Sequence, residues 1–252
     1  MTFYGLSDIG NVRKNNEDSF SVESLSENCI IAVVADGMGG HTGGKRASSD
    51  AVDLIMNIVK RKHGDFPSYS ENDFKNLLTS TIVDVNKKIY ESSSCDTELL
   101  GMGTTVVACI VYNNKFYAAN VGDSRLYMFD GRLNQVTKDH SFVRELIDMG
   151  LINEQQAKSH PNKNVITRAI GTDNNVTADI YSGKLNENDI LMICTDGLTN
   201  MVSDDEIERI LSSKKTLAEM TNILIDNAKT SGGRDNITIV FIKINDGGAN
   251  KI

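Results

Sequence analysis

Two short apolar runs, each ending in an Asp-Gly pair, constrain the fold of this 252-residue chain more than any other feature. Residues 30–37 read Ile-Ile-Ala-Val-Val-Ala-Asp-Gly, and residues 190–197 read Ile-Leu-Met-Ile-Cys-Thr-Asp-Gly. A short apolar run bounded by a turn signal is typical of a buried strand. The sequence therefore predicts two buried strands that carry Asp36 and Asp196 at the mouth of a sheet.

The middle of the chain is rich in short strand-like segments joined by turn signals. Asn113-Asn114 and Asp130-Gly131 separate apolar or alternating runs, which is typical of β-hairpins and predicts an antiparallel sheet here. The predicted strands cover residues 3–7, 19–23, 30–35, 104–112, 115–121, 124–129, 133–137, 178–181, 190–195 and 236–244.

Helical patterns occupy most of the remaining chain. Apolar side chains recur at three- and four-residue spacing between residues 77 and 89, as expected for a helix with one buried face. Residues 142–171 are polar and partly helical, and we expect them to leave the sheet. Helices packed on a largely antiparallel sheet system indicate an α+β layered fold. The predicted helices cover residues 45–60, 70–90, 204–212 and 216–230.

The composition favours one globular domain. Only two prolines occur and no Pro/Ser-rich stretch separates halves of the chain, so we predict a single domain over residues 1–246 with a tail at 247–252. A net charge of −8 argues against a nucleic-acid partner, which needs a basic face. No apolar stretch approaches the ~18 residues of a membrane span.

Four cysteines, Cys29, Cys95, Cys109 and Cys194, occur without a Cys-x-x-Cys pair. Three of them lie in or beside apolar runs, which favours buried free thiols over disulfides or a zinc site. The chain also begins without the basic and apolar regions of a signal peptide. We therefore expect a reducing, cytoplasmic location.

Four aspartates in compact Gly- or Asn-bearing segments, Asp18, Asp36, Asp196 and Asp235, are candidates for one metal site. If they converge, unit charges ~4 Å apart at an effective dielectric near 20 repel by ~4 kcal/mol per pair. Such a cluster requires cations, and oxygen ligands favour Mg²⁺ or Mn²⁺ over zinc. The pattern therefore indicates metal-assisted hydrolysis.

Asp-Gly pairs are also common in turns, and two of them are interpreted as structural. Asp130-Gly131 joins two short predicted strands, and Asp246-Gly247 lies at the C-terminal tail. Taken alone, the pairs at Asp36 and Asp196 are also more often structural than metal-binding.

A phosphate-binding P-loop is an alternative interpretation. Gly39, Gly44 and Lys45 have the spacing of that motif, between a predicted strand and a predicted helix. However, Arg46 stands where the motif needs Ser or Thr, and hairpins do not suit a parallel NTPase sheet. The P-loop interpretation also gives the other aspartates no role.

Eight segments, taken in order, resemble the metal-dependent protein Ser/Thr phosphatases of the PP2C family in its short bacterial form. They span essentially the whole chain, and none departs at a position that the family uses for metal or phosphate. The segments are residues 10–18 (Gly-Asn-Val-Arg-Lys-Asn-Asn-Glu-Asp), 34–41 (Val-Ala-Asp-Gly-Met-Gly-Gly-His), 101–105 (Gly-Met-Gly-Thr-Thr), 120–125 (Asn-Val-Gly-Asp-Ser-Arg), 139–141 (Asp-His-Ser), 170–171 (Ile-Gly), 194–198 (Cys-Thr-Asp-Gly-Leu) and 233–236 (Gly-Arg-Asp-Asn).

The resemblance implies a layered α-β-β-α sandwich of two mainly antiparallel sheets flanked by helices, with a flap near residues 142–170. It implies hydrolysis of phosphoserine and phosphothreonine in proteins by a metal-bridged water or hydroxide, in opposition to a Ser/Thr kinase. The expected partners are phosphorylated proteins and a cognate kinase, with no nucleic acid or membrane, and the chain is expected to be a monomer. A catalytically silent module on this fold should have lost a ligand aspartate, and none is missing here.

By the same resemblance, two Mn²⁺ or Mg²⁺ ions, with a weaker third, would occupy the carboxylate site. Asp36 would bridge the two principal ions, and Asp196 and Asp235 would hold the first. The implied metal ligands are Asp36, Asp196, Asp235, the Gly37 carbonyl for the second ion, Asp123 with Asp196 for the third, and Glu17 and Asp18 through metal-bound waters.

Two further residues receive catalytic roles from the resemblance. Arg13 would clamp the substrate phosphate, because its planar guanidinium matches two phosphate oxygens. His41 would protonate the leaving seryl or threonyl oxygen as a general acid. His160 and Arg168, both in the flap, would influence substrate access.

Overall fold

The computed structural model describes residues 1–39, 43–95, 99 and 101–245, apart from the side chains of residues 94 and 95. The predicted tail at 247–252 and Asp246-Gly247 lie outside these residues. The described strands are β1 (Thr2–Asp8), β2 (Asp18–Ser26), β3 (Cys29–Met38), β4 (Gly103–Thr104), β5 (Val106–Tyr112), β6 (Lys115–Val121), β7 (Arg125–Phe129), β8 (Leu133–Gln135), β9 (Asp179–Lys184), β10 (Ile190–Cys194) and β11 (Ile237–Lys243).

The four predicted helices are present, and the structure adds shorter helices outside them. A 3-10 helix at His63–Ser68 joins the first two α-helices. The α-helices are α1 (Gly43–Lys62), α2 (Glu71–Cys95), α3 (Phe142–Asp148), α4 (Glu154–Lys158), α5 (Asp196–Thr199), α6 (Asp204–Leu211) and α7 (Leu217–Thr230).

The strands form two antiparallel sheets. The five-stranded sheet has the order β1-β11-β10-β7-β8, and the six-stranded sheet has the order β2-β3-β5-β6-β9, with β4 paired to β3. Both hairpins predicted from turn signals are present, since β5 pairs with β6 and β7 pairs with β8. The two central residues of the β5–β6 turn, Asn113 and Asn114, adopt φ of 49° and 58°, a left-handed conformation that Asn tolerates.

The sheets are stacked face to face and covered by helices. One apolar cluster lies between the six-stranded sheet and helices α1 and α2. A second lies between the five-stranded sheet and helices α5 to α7, and a third fills the space between the two sheets. The predicted α+β fold, an α-β-β-α sandwich, is confirmed.

This layering explains the two unbroken apolar runs. In β3, Ile31 and Val33 face the helices while Ile30 and Ala32 face the other sheet. The same alternation occurs in β10 between the α5–α7 side and the inter-sheet side. Because both faces of each strand are buried, the usual alternation of apolar and polar residues is absent.

The buried thiols agree with the sequence prediction for three cysteines. Cys29, Cys109 and Cys194 are free and buried, and burial raises the pKa of each thiol to about 12. The side chain of Cys95 lies outside the described atoms.

The flap segment at residues 142–170 lies between β8 of the five-stranded sheet and β9 of the six-stranded sheet, and it carries α3 and α4. The Ser141 side chain caps α3 by accepting a bond from the Arg144 N–H, and Asn153 with Gln156 forms a capping box at α4. Its end is held by reciprocal backbone hydrogen bonds between Ile170 and Thr104.

In the described part of the chain, no helix is both long and apolar enough to cross a membrane. That residues 1–246 form a single domain stays a prediction.

Candidate metal centre

The candidate carboxylates meet at the end of the sandwich where both sheets terminate. Asp18, at the start of β2, lies directly opposite Asp36 near the end of β3. In the other sheet, Asp196 follows β10 and Asp235 precedes β11, and these two strands are neighbours. Asp123 lies in the turn after β6. Side chains far apart in the sequence are thereby brought to one place.

A cavity of about 570 Å³ opens at this end. Asp18 lies behind the lining and is only 2% exposed. His41, the candidate acid, lies outside the described residues. The predicted site residues that line the cavity are Arg13, Glu17, Asp36, Gly37, Asp123, Asp196 and Asp235.

Burial and mutual repulsion raise the pKa values of four carboxyls of the cluster, those of Asp18, Asp36, Asp123 and Asp196. Burial, followed by the charge of Asp196, raises the pKa of Asp123 to about 8. Burial, followed by the charge of Asp235, raises that of Asp196 to about 6. Burial and then Asp18 and the other three carboxylates raise the pKa of Asp36 well above its ordinary value. Asp36 is partly exposed and lines the cavity.

Among the described residues, Asp235 is the only carboxylate of the cavity lining that forms an ion pair, although Lys14, Lys163 and Arg234 also line the cavity. Arg13 donates through Nη2 to Asp235 Oδ2 at 2.7 Å, with a side chain that is 52% exposed. Arg125 is bound to Asp139 by Nε and Nη2 and to the Tyr127 hydroxyl by Nη1. The remaining charge fits hard divalent cations, and the donor set of carboxylate and carbonyl oxygens suits Mg²⁺ or Mn²⁺.

An orphaned oxygen supports the same conclusion. Asp18 Oδ2 accepts bonds from Thr195 and Thr238, whereas its buried Oδ1 has no partner among the described residues. A buried carboxylate oxygen without a partner is costly, and a cation or its hydration water would relieve that cost. The carboxylates therefore fit a divalent metal.

The described side chains alone do not form a complete set of metal ligands. Within residues 1–39, 43–95, 99 and 101–245, no group of three or more His, Cys, Asp or Glu side chains is arranged as a finished metal site. Mutual repulsion holds free carboxylates apart, and Mg²⁺ commonly keeps several waters as ligands. Backbone oxygen from Gly37 and water would complete such a site.

Position 37 must be glycine, because three backbone segments approach each other closely there and leave no room for a side chain. A Cβ atom at this position would overlap the carbonyl oxygen of Gly44 and lie 2.7 Å from that of Glu17. Gly37 and Met38 continue β3 by pairing with β4, so the strand extends beyond the predicted end at residue 35. The pairing fixes the backbone that carries Asp36 and the Gly37 carbonyl.

The P-loop interpretation is wrong, because the described part of the chain lacks the sheet that a P-loop requires. Lys45 Nζ donates to the Asp18 carbonyl at 2.8 Å and to Ser19 Oγ at 3.2 Å, so it ties α1 to β2. The sheet that precedes α1 is antiparallel throughout, whereas a P-loop NTPase has a parallel sheet.

Several supporting residues were not assigned roles from the sequence. Asn236 accepts from the Glu17 N–H and donates to the carbonyls of Ile9 and Asn15, which fastens the loop that carries Arg13. Thr195 and Thr238 hold Asp18. Their signal in the sequence is a polar residue within or at the end of an apolar run, a position that requires a buried partner.

The flap reaches the cavity through residues other than the two that were predicted. Lys163 and Ile166 line it. Arg168 instead bonds to Asp179 at 3.0 Å beside His140, and His160 accepts from the Asn162 N–H. The predicted influence of His160 and Arg168 on access therefore stays a prediction.

We expect the metal-free protein to lose stability as pH rises from 6.5 to 8.5. The folded pKa values of Asp18 and Asp123, about 7 and about 8, exceed the ordinary value near 4. Stability that is present below the unfolded pKa is therefore lost as pH rises through these folded values. Burial lowers the pKa of His140. This shift makes stability increase with pH, but only below about pH 6.5, the ordinary pKa of histidine.

Thermal unfolding in EDTA measures this effect. The melting temperature should fall by about 3 °C or more across the window, since 1 kcal/mol corresponds to about 2–4 °C at this size. Saturating Mn²⁺ should reduce the fall. A melting temperature that rises with pH in EDTA would contradict the carboxylate assignment.

Comparison with known proteins identifies the family. A family model described as protein phosphatase 2C matches residues 11–234. The serine/threonine phosphatase stp of Listeria monocytogenes serotype 4b is 41% identical over 237 residues, which are 94% of this chain and 93% of that protein.

Solved structures agree in fold over nearly the whole chain. The serine/threonine phosphatase Stp1 from Staphylococcus aureus superimposes with a TM-score of 0.90 at 34% identity, covering 96% of this chain and 94% of that one. The catalytic domain of the serine threonine protein phosphatase PstP, solved in complex with 2 manganese ions, gives a TM-score of 0.82 at 32% identity, with 97% and 98% covered. With the two-sheet sandwich and its carboxylate cavity, these matches show that the chain belongs to the protein phosphatase 2C family.

Proposed function

We propose that this chain is a protein phosphatase that hydrolyses phosphoserine and phosphothreonine, using Mn²⁺ or Mg²⁺ held in the carboxylate cavity. The observation that carries the proposal is the convergence of Asp36, Asp196 and Asp235 from two sheets on one cavity. Family membership supports it, as does the name serine/threonine phosphatase that its relatives bear.

In this proposal, Asp36 would be shared by two ions, Asp196 and Asp235 would hold the first, and the Gly37 carbonyl would serve the second. Glu17 and Asp18 would act through water, and Asp123 would support a third ion together with Asp196. The two manganese ions in the PstP structure support two principal sites. When bound, such ions supply positive charge and acidify the attacking water.

The Arg13 guanidinium is the proposed phosphate clamp. Only Nη2 is engaged, with Asp235, and its other N–H groups bond to no described residue. Hydrogen bonding to Asp235 raises the pKa of Arg13, so the side chain is cationic throughout the working pH range. Two oxygens of a substrate phosphate could accept hydrogen bonds from the remaining N–H groups of the Arg13 guanidinium. Asp235 would orient that guanidinium at the cavity mouth.

His41 is the proposed general acid for the leaving oxygen. Gly39, two residues before it in the chain, lines the cavity. Serine and threonine alkoxides are poor leaving groups, so a group that donates a proton near neutral pH lowers the barrier, typically by 10²–10⁴-fold.

The proposal extends to the setting in which the protein acts. Phosphorylated proteins are its substrates, and a cognate Ser/Thr kinase is the activity that it opposes. We further propose that it acts as a monomer in the cytoplasm.

The test is hydrolysis of a phosphothreonine peptide with and without chelation. EDTA should lower turnover at least about a hundredfold, because the cavity then lacks both charge compensation and an activated water. Mn²⁺ or Mg²⁺ added in excess should restore it. Full activity after dialysis against EDTA would refute the metal-dependent mechanism. Turnover of ATP but not of the peptide would refute phosphorylated proteins as the substrate class.

A further inference from the structure

Asp18 is held at the contact between the two sheets by one of its two carboxylate oxygens. Its Oδ2 accepts from Thr195 Oγ1 at 3.0 Å and from Thr238 Oγ1 at 2.6 Å. Both threonines are fully buried. Oδ1 is buried as well and has no partner among the described residues.

The directions of these bonds follow from counting protons. Thr195 Oγ1 accepts the Thr238 N–H at 3.0 Å, so the single hydroxyl proton of Thr195 is free to point at Asp18. Thr238 Oγ1 also gives its proton to Asp18, so in the 2.7 Å contact between Ser7 and Thr238 the donor is Ser7. Ser7 in turn accepts from Asn16 Nδ2 at 2.8 Å. Every donor in this chain therefore points toward Asp18 Oδ2.

This network connects the two halves of the carboxylate cavity. Asp18 lies in the six-stranded sheet directly opposite Asp36. Thr195 immediately precedes Asp196 in the chain, and Thr238 lies in β11 of the five-stranded sheet. The position of Asp18 relative to the threonines therefore sets how Asp36 lies relative to Asp196.

We propose that Thr195 and Thr238 are positioning residues of the metal centre. They occupy Oδ2 with two directed hydrogen bonds and leave Oδ1 as the only oxygen of Asp18 that a cation or its hydration water can engage. The inference rests on the proposed function, because it assigns these hydroxyls to the same metal site.

The expected effect is on metal affinity, since neither threonine lines the cavity. Partners that orient a ligand typically change metal affinity 10–100-fold when they are removed. Valine has nearly the shape of threonine and lacks the hydroxyl, so Thr195→Val and Thr238→Val each remove one bond to Oδ2 with little change in volume.

The experiment is a calorimetric titration of the full-length chain with Mn²⁺ in the absence of substrate. Thr195→Val and Thr238→Val should each weaken the tightest Mn²⁺ binding about 10–100-fold. Thr195→Ser and Thr238→Ser, which restore the hydroxyl, should bind within a few-fold of the wild type. The matched control is Thr221→Val, because Thr221 is equally buried but donates to the Leu217 carbonyl within α7; its affinity should not change.

Unchanged Mn²⁺ affinity in both valine variants would overturn the inference while leaving the proposed function intact. Absence of Mn²⁺ binding by the wild type would overturn both. Circular dichroism in EDTA establishes that each variant is folded. If Thr238→Val is unfolded, Thr195→Val, which removes the longer bond, decides: a tenfold loss supports the inference and an unchanged affinity refutes it.

Discussion

Replacing Asp36 with asparagine is expected to abolish phosphatase activity and to raise the melting temperature of the metal-free protein. Burial raises the pKa of Asp36, and the charges of Asp18, Asp196, Asp123 and Asp235 raise it further. Neutralising it relieves about 1–2 kcal/mol of repulsion after screening by cavity water, or about 2–8 °C in melting temperature. Activity should fall more than about a hundredfold, because Asp36 is the proposed ligand shared by both ions.

The geometry allows this substitution without disturbing the backbone. The Asp36 N–H donates to Thr105 Oγ1, and its carbonyl accepts from the Thr105 N–H and from Thr104 Oγ1. None of these bonds involves the Asp36 carboxylate, so asparagine at this position leaves them in place. The stabilised, inactive variant would show that Asp36 is retained for chemistry and not for folding.

Asp130→Asn is the matched control. Asp130 belongs to an Asp-Gly pair as well, but it is exposed in the turn between β7 and β8. Activity and melting temperature should both be unchanged. If Asp36→Asn retained activity, or if it melted well below the wild type in EDTA, Asp36 would be a structural residue and the charge argument would be wrong.

Gly197→Ala is expected to destabilise the protein by about 3 kcal/mol or more. A Cβ atom at this position would overlap the carbonyl oxygen of Asn236 and lie 3.5 Å from the Asp235 Cβ. Asn236 cannot move aside, because its side chain bonds to the backbone at Ile9, Asn15 and Glu17. Relief of the overlap would therefore displace Asp235 relative to its neighbours.

Two measurements check the glycine prediction. The melting temperature should fall by about 6 °C or more, and Mn²⁺ affinity should fall as well. Gly64→Ala is the control. Gly64 lies in the 3-10 helix at His63–Ser68, and nothing lies within 4 Å of a Cβ atom added there. The stability of the Gly64→Ala protein should be unchanged or slightly higher. A Gly197→Ala protein as stable as the wild type would show that the close approach to Asn236 is not required.

The layered fold was predictable because its signals are local. The apolar runs at residues 30–35 and 190–195 lack alternation since both faces of each strand are buried. Turn residues such as Asn113-Asn114 mark hairpins through their tolerance of positive φ. Such signals predict strands and antiparallel pairs, but they do not specify which sheet a strand joins. The separation into two sheets was expected only from the family resemblance.

In the sequence, the Asp-Gly pairs at Asp36 and Asp196 differ from the hairpin pair at Asp130-Gly131 only in the apolar runs that precede them. Asp36 lies inside a strand, Asp196 begins a helix, and Asp130 lies in a turn. What distinguishes the first two is convergence on one cavity with Asp235, a property of the folded chain. The strand continues through Gly37 because β4 pairs with it, and a two-residue partner leaves no periodic signal in the sequence.

The network around Asp18 was the least predictable part of the site. Ser7 and Thr238 are 231 positions apart in the sequence, and Thr195 and Thr238 are 43 apart. Each is an ordinary polar residue in its own segment. Their common acceptor becomes apparent only when β1, β2, β10 and β11 are placed together. A buried hydroxyl in an apolar run predicts that a partner exists without identifying it.

The central claim is that Asp36, Asp196 and Asp235 surround a pair of divalent ions. The most direct measurement is a crystal structure of the protein grown with Mn²⁺, with anomalous diffraction collected above the manganese edge. The account predicts two strong anomalous peaks inside the cavity, with Asp36 contacting both and Asp196 and Asp235 contacting one of them. Peaks elsewhere on the molecule with none at these aspartates, in crystals saturated with Mn²⁺, would contradict it.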